Sequence, residues 1–83
     1  MPYIKKEHRP SKDKVIDVMV KEHIVANGDL NYVLFKYCKK HIKPSYNNYK
    51  NYCGELRQCA TEIERRLLAA YEDKKIIENG EVQ

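Results

Sequence analysis

Lysines recur at a helical spacing in the middle of the chain. A helix would present four of them on one face, since they follow one another at i, i+3, i+4 and i+7: Lys36, Lys39, Lys40 and Lys43. Such a ridge can hold phosphate groups through charge. The pattern is equally typical of a solvated helix face, with cations near the C-terminus where the helix dipole favours them. Lysine without arginine, asparagine or glutamine indicates recognition of charge rather than of base sequence.

Tyrosines and arginines supply the other groups that could bind an anionic ligand. The chain has seven Tyr and one Phe but no Trp. Tyr46 could act as an exposed stacking platform, whereas Tyr49 and Tyr52 fit a core or a subunit interface. Arginines further along could bind phosphate through two N–H groups, or pair with glutamates of the same helix. The candidate ligand-binding residues are Tyr46, Arg65, Arg66, Tyr71, Lys74, Lys75, Lys36 and Lys40.

No set of residues meets the requirements of a catalytic or metal site. The sequence has no nucleophile elbow, phosphate loop or dinucleotide fingerprint. Glu62 and Glu64 would point in different directions on a helix. Cys38 and His41 could converge with a thiol of the third helix, but there is no Cys-x-x-Cys pair, and cysteines also serve as small buried hydrophobes. We therefore predict no enzymatic activity, no metal and no cofactor.

Charge is distributed unevenly along the 83 residues. The net charge is +4, yet residues 1–50 contain 11 Lys/Arg against 5 Asp/Glu, and residues 51–83 contain 5 against 7. The first part is therefore the half expected to face an anionic partner. Three cysteines, without a signal peptide or an apolar run long enough to cross a bilayer, indicate a cytoplasmic protein with reduced thiols and no membrane contact.

The periodicity of apolar residues predicts an all-α, three-helix domain. The first helix is expected over about residues 12–26, with Asn27-Gly28 as its stop and Asp29 as the cap of the second helix. The second helix is expected to end at Pro44, and the third to run over about residues 49–71. The predicted apolar face of the second helix consists of Leu30, Val33, Leu34, Tyr37, Cys38 and Ile42.

Both ends of the chain are expected to lie outside these helices. Residues 1–10 contain two prolines and precede any helical period, so we predict an extended segment. Residues 72–83 combine apolar side chains with an Asn79-Gly80 pair, which favours a tight turn. The sequence leaves open whether this appendage is a hairpin or an extension of the third helix. We predict one domain over residues 1–83, with its three helices within residues 12–71.

Three motifs in this chain resemble a family of small, uncharacterised proteins encoded by bacteriophages and prophages. They are Met1-Pro-Tyr-Ile4, Gly28-Asp-Leu-Asn-Tyr32 and Tyr71-Glu-Asp-Lys-Lys-Ile76 with Glu78-Asn-Gly-Glu-Val82, and the likeness spans nearly the whole chain. Members of that family often have Ala-Pro before the terminal tyrosine, where this chain has Ala69-Ala70. The resemblance implies a phage setting, in which small non-enzymatic proteins commonly disable host components or sequester nucleotide immune signals.

We derive three functional hypotheses from these features. The first is a phage-type, non-enzymatic protein that counters host defence by capturing an anionic nucleotide signal, in a basic, tyrosine-lined pocket between the subunits of a homo-oligomer. The second is an inhibitor that docks a host protein, an enzyme, through its acidic C-terminal half. The third is a sequence-tolerant nucleic-acid-binding protein, recognisable by affinity that falls steeply with salt. Nucleic acid ranks below the small nucleotide and the host protein as a partner.

Overall fold

The computed structural model describes residues 3–83, so Met1 and Pro2 lie outside the described range. A 3₁₀ turn, four α-helices and a π turn follow one another in the described chain. In order they are the 3₁₀ turn at Lys6–His8, α1 (Arg9–Lys21), α2 (Gly28–His41), α3 (Tyr46–Ile63), the π turn at Glu64–Leu68, and α4 (Ala69–Asn79). Across residues 3–83 there is no β-strand. The prediction of an all-α, three-helix protein is confirmed, and α3, the π turn and α4 together make up the third helix.

The described chain divides into two compact units, residues 3–52 and residues 53–83. The first contains α1, α2 and the start of α3, and the second contains the rest of α3, the π turn and α4. The first unit has a net charge of +6, with 11 Lys/Arg against 5 Asp/Glu, and the second has −2, with 5 against 7. The basic and acidic parts of the sequence therefore correspond to different units. That residues 1–83 make one domain stays a prediction.

The N-terminal segment is helical over more of its length than we predicted. The 3₁₀ turn begins at Lys6, and Pro10 lies in the first turn of α1. Proline is compatible with that position because the first backbone N–H groups of a helix have no helical partner. The Arg9 Nε–H donates to the Ile4 carbonyl (3.0 Å). Among the described residues, non-helical chain at this end is limited to Tyr3–Lys5.

Helix α1 ends at Lys21, before the end near residue 26 that we predicted. His23 adopts a left-handed conformation with φ 57°. The His23 N–H donates to the Val20 carbonyl (3.1 Å), and the Ile24 N–H donates to the Met19 carbonyl (2.9 Å). These two bonds define a Schellman motif, in which a left-handed residue ends the helix and satisfies its last carbonyls.

The Asn27-Gly28 pair begins α2 rather than ending α1, so the prediction of a stop there is wrong. Asn27 is extended, and its Oδ1 accepts a hydrogen bond from the Asp29 N–H (2.8 Å). Asn27 is therefore the N-cap, and the predicted cap, Asp29, lies inside the first turn. An acidic side chain suits that position because the helix N-terminus carries a partial positive charge.

Replacing His23 with glycine is expected to raise the free energy of unfolding by about 0.5–1 kcal/mol. A left-handed conformation costs a residue with a Cβ about 1–2 kcal/mol, and the greater freedom of glycine in the unfolded chain offsets part of the gain. Thermal unfolding of both proteins measures the difference. Glu22→Gly is the matched control, because Glu22 has φ −88° and glycine there brings no relief; equal effects of the two variants would contradict the prediction.

Helix α3 begins at Tyr46, earlier than the start near residue 49 that we predicted. Ile42 leaves α2 in an extended conformation, two residues before Pro44. The Ser45 Oγ accepts a hydrogen bond from the Asn48 N–H (3.0 Å), which is the bond of an N-cap serine. The cap therefore lies at the start of the Ser-Tyr-Asn-Asn stretch, and the helix includes the rest of it.

Half-buried side chains mark the inner side of the 3–52 unit. No residue in the described chain is fully buried. Val33 and Tyr37, which we assigned to the apolar face of α2, are 38% and 55% exposed. The Tyr52 hydroxyl donates to the Leu34 carbonyl and so ties the start of α3 to α2. The half-buried residues of the second predicted helix recur every four positions, as expected of a helix packed on one side: Leu30, Leu34, Cys38 and Ile42.

The 53–83 unit is helical as far as Asn79, so most of the predicted appendage extends the third helix. No glycine or proline occurs between Gly54 and Gly80 to stop it. Gly80 has φ 91°, and its N–H donates to the Ile76 carbonyl (2.8 Å). The Asn79-Gly80 pair is thus a helix end rather than the tip of a hairpin.

A π turn interrupts the α-helical hydrogen bonding within this unit. It spans Glu64–Leu68, and the Ala69 N–H bonds to the Glu64 carbonyl, five residues back instead of four. Single π turns inside α-helices add a residue to one turn. Nothing in the sequence pattern predicted this feature.

Candidate ligand-binding face

The solvent side of α2 combines lysine and tyrosine side chains along one line. Lys36 is two positions from both Leu34 and Cys38, so it lies across the helix from the half-buried stripe. Tyr32 and Lys40 lie one turn before and one turn after Lys36. We call Tyr32, Lys36 and Lys40 the central ridge.

A groove lies along one side of the central ridge. It has a volume of about 340 Å³ and is lined by Asn31, Tyr32, Phe35, Lys36, Lys39 and Lys40. Phe35 is 67% exposed, which makes its ring available to a ligand. We call this the Phe35 groove; it pairs one apolar ring with three ammonium groups.

A second groove lies along the other side of the ridge. It has a volume of about 420 Å³ and is lined by Tyr32, Val33, Lys36, Tyr37, Lys40 and His41. The Tyr37 and His41 rings contact each other with centroids 5.6 Å apart and planes tilted by 37°. We call this the Tyr37 groove; its two rings provide a flat apolar wall beside the lysines of the ridge.

Tyr32 holds the ammonium group of Lys36 in place. The Lys36 Nζ donates to the Tyr32 Oη (2.8 Å) and lies 5.3 Å from the centroid of the phenol ring. An ammonium group has three N–H donors, so this bond leaves two that can reach a ligand. This hydrogen bond restricts the lysine before any ligand arrives.

The same Tyr-x-x-x-Lys arrangement occurs twice more in the described chain. The Lys50 Nζ lies 5.7 Å from the centroid of the Tyr46 ring on α3, and the Lys75 Nζ lies 5.6 Å from that of Tyr71 on α4. A spacing of four residues stacks side chains on one helix face. In each case the lysine Nζ lies 5.3–5.7 Å from the centroid of the ring, and Lys36 also donates a hydrogen bond to the phenol oxygen of its tyrosine.

Three of the candidate residues lie in the 3–52 unit, and two of these meet. Lys36 and Lys40 line both grooves. Tyr46 is 80% exposed at the start of α3 and lines neither groove. The exposure agrees with our prediction of an accessible ring, but its neighbour is Lys50 rather than the central ridge.

The other candidates lie in the 53–83 unit, where Arg65 and Lys75 hydrogen-bond to carboxylates. Arg65 donates from Nη2 to both oxygens of Glu62 (2.9 and 3.0 Å), and Lys75 donates to Glu78 Oε2 (3.0 Å). The Arg65–Glu62 pair is of the kind that we weighed against phosphate binding by the arginines. Ion pairs on a helix surface contribute little to stability when they are exposed. The remaining candidates are Arg66 in the π turn and Tyr71 and Lys74 on α4.

Sequence reasoning missed the four ring-bearing side chains of the two grooves: Tyr32, Phe35, Tyr37 and His41. We assigned Tyr37 to the apolar face of α2, because a residue at the edge of that face fits the same periodicity as the half-buried residues. The signal that could have identified Tyr32 is its spacing of four residues from Lys36, since such a pair shares a helix face. Phe35 falls outside the apolar series of the second helix and lies one turn before Lys39, which also marks an exposed ring.

Neither a metal cluster nor a membrane span is found among the described residues. No group of three His, Cys, Asp or Glu side chains in residues 3–83 could hold a metal ion. No helix of the described range is long and apolar enough to cross a membrane.

Comparison with known proteins identifies the family but no better characterised relative. Neither a curated protein nor a solved structure matches the chain. A family model described as "Domain of unknown function (DUF6899)" matches residues 1–82. That match covers all of the central ridge, both grooves and the helical 53–79 segment. The chain therefore belongs to the DUF6899 family.

Proposed function

We propose that this protein is a non-enzymatic binding protein that captures a nucleotide on the outer face of α2. The observation that supports the proposal is the central ridge, where two lysines and a phenol ring separate two grooves with aromatic walls. A nucleotide needs cations for its phosphates and a flat apolar surface for its base. The face offers both within about three helical turns.

Charge around the face favours an anionic ligand. Asp29 is the one acidic residue in the α2 sequence, and it lies in the first turn, away from the lysines at the other end of the helix. The surrounding 3–52 unit has a net charge of +6. Because exposed charges are screened over about 10 Å at 0.1 M salt, the lysines of the face contribute most to binding.

Each residue of the ridge has a distinct part in the proposed site. The Lys36 Nζ, held by Tyr32, offers its two remaining N–H donors to phosphate oxygens. Lys40, one turn further on, reaches a second phosphate, and Lys39 adds positive charge on the Phe35 side. The base packs on a groove ring.

The resemblance to phage proteins indicates a biological role for the proposed binding. Capture without chemical change withdraws a nucleotide immune signal from the host and thereby counters its defence. We propose that the protein acts as a homo-oligomer, because both grooves are open to solvent on a single chain and ligand sites usually cover most of their ligand. The exposed Tyr46 ring, which lines neither groove, is then available to a second subunit.

The test is thermal unfolding at physiological salt with a panel of ligands. The panel contains AMP, ADP, cyclic dinucleotides, cyclic ADP-ribose isomers and a random oligonucleotide. A ligand present at a hundred times its Kd adds about 2.7 kcal/mol to the free energy of unfolding. For a chain of this size, that is a rise in Tm of about 10–20 °C. We expect such a rise with at least one small nucleotide.

A matched pair of variants locates the binding. Lys36→Gln/Lys40→Gln is expected to weaken the affinity for that nucleotide at least ten-fold, because charge-assisted bonds to phosphate are lost. Lys12→Gln/Lys14→Gln removes the same charge from α1 and is expected to change the affinity less than two-fold. Equal losses in both variants would show binding by net charge alone and would contradict the proposed site.

A protein partner is the second candidate, favoured by the apolar surface of the acidic unit. Leu67 is 66% exposed, Ile77 85% and Val82 89%, and the 53–83 unit has a net charge of −2. Exposed apolar side chains rimmed by charge are typical of protein interfaces. A flat nucleotide panel together with a stable complex with a host enzyme would favour this function. A rise in Tm with the oligonucleotide alone, lost at high salt, would favour nucleic acid.

A further inference from the structure

The two grooves are arranged as a pair on either side of shared residues. All three residues of the central ridge line both the Phe35 groove and the Tyr37 groove. Each groove then adds its own ring or rings on the outer side. The face therefore has two apolar walls and one set of cations between them.

The exposure of the two walls shows that both rings face solvent. Phe35 is 67% exposed and Tyr37 is 55% exposed, and Tyr37 is supported by the His41 ring. Phe35 and Tyr37 are two positions apart, so they lie on opposite flanks of a helix about 10–12 Å wide with its side chains. A single nucleotide base can cover one flank but not both.

We propose that the ligand is a dinucleotide in which a pyrophosphate joins two nucleosides, and that it straddles α2. The inference rests on the proposed nucleotide capture and narrows it to one class of ligand. Each phosphate of the linkage meets one lysine of the ridge, Lys36 or Lys40, which are one helical turn apart. One base packs in the Phe35 groove and the other in the Tyr37 groove.

The pyrophosphate linkage is favoured over a single phosphodiester for two reasons. The ridge offers two ammonium groups to both grooves, and a pyrophosphate supplies two negative charges. The longer linkage also separates the bases enough to reach both flanks of the helix. Stacking of a base on an aromatic ring raises affinity by roughly 5- to 150-fold, so the second base has a measurable effect.

Calorimetric titration with two probes tests the inference. Diadenosine 5′,5′-diphosphate and ADP both contain a pyrophosphate, but ADP has one base and the greater negative charge. We expect the dinucleotide to bind at least ten-fold more tightly than ADP, with one molecule per chain. Phe35→Ala and Tyr37→Ala are each expected to reduce the affinity for the dinucleotide at least five-fold. Val20→Ala, which truncates a 71% exposed side chain on α1, is expected to leave it unchanged.

The other outcomes of the titration distinguish failure of the dinucleotide proposal from failure of nucleotide capture. Equal affinity for both probes, or two ADP molecules per chain, would overturn the straddling ligand while leaving nucleotide capture on α2 intact. No binding of either probe would overturn the pyrophosphate-linked ligand, and nucleotide capture itself would be overturned by a flat response to the whole panel of small nucleotides. Because both rings are exposed, the variants should remain folded, and circular dichroism of each variant checks this before titration.

Discussion

Leu34→Ala is expected to lower the free energy of unfolding by about 2 kcal/mol. Leu34 belongs to the half-buried stripe of α2, and truncation of a packed leucine costs its transfer free energy together with that of the cavity left behind. Truncation of a fully buried leucine to alanine lowers the free energy of unfolding by about 2–5 kcal/mol, so we expect the low end of that range for the half-buried Leu34. The corresponding fall in Tm is about 8–16 °C for a chain of this length.

Urea unfolding followed by circular dichroism measures this effect, with Phe35→Ala as the control. Phe35 is the next residue of the same helix and is 67% exposed, so we expect its truncation to change stability by less than about 0.5 kcal/mol. The comparison keeps helix propensity and position nearly constant. If both variants lost the same stability, the inner side of α2 would not be the one assigned here.

Tyr52→Phe is expected to lower the free energy of unfolding by about 1–1.5 kcal/mol. The change removes the hydrogen bond from the Tyr52 hydroxyl to the Leu34 carbonyl and keeps the ring. A hydrogen bond inside a protein contributes about 0.5–1.5 kcal/mol net. The upper part of that range applies because the bond joins α3 to α2 across 18 residues of sequence and lies where side chains are half-buried.

Tyr49→Phe is the matched control for the loss of a phenol hydroxyl. Tyr49 lies one turn earlier on α3 and is 41% exposed, so water can replace whatever its hydroxyl contacts. We expect a change below about 0.5 kcal/mol, measured by the same urea titration. A Tyr52→Phe protein as stable as the parent would mean that the hydroxyl bond between the two helices contributes nothing.

The helix bounds could be predicted where the apolar periodicity stops at a helix-breaking residue. The second helix has an apolar residue on nearly every inner turn and a proline soon after it, and its observed end at His41 lies close to the prediction. Its start was misassigned because asparagine and glycine serve both to end and to begin helices. The choice between these roles depended on His23, whose left-handed backbone ends α1 and which is not a residue that usually indicates a stop.

The sequence left the end of the third helix open between a hairpin and an extension of the helix. Ala69-Ala70, where relatives have Ala-Pro, favoured a longer helix, whereas Glu72 and Asp73 would oppose the macrodipole of a helix that ended near Tyr71. With Ala69-Ala70 in place of a breaker, the helix continues to Asn79. Those acidic residues are then in the first half of α4, where the macrodipole does not oppose them.

The candidate site could be predicted in part, because charge patterns are visible in sequence and surface geometry is not. The lysine stripe identified Lys36 and Lys40, which do share both grooves. The aromatic walls were missed because rings near the edge of an apolar stripe resemble core residues. Arg65 and Lys75 could be identified from sequence as cations. Their hydrogen bonds to Glu62 and Glu78 depend on side-chain conformations, which the sequence does not fix.

The π turn at Glu64–Leu68 changes how the rest of its helix relates to the sequence before it. Each residue of an α-helix advances the chain by about 100° around the axis, so one additional residue in a turn rotates everything after it by about that angle. A helical projection that begins at Leu56 and counts 3.6 residues per turn therefore places Tyr71 and Lys75 about 100° from their actual positions around the axis. Deletion of one residue between Ile63 and Ala69 would therefore preserve the length of both flanking helices while rotating α4 by about 100° relative to Leu56.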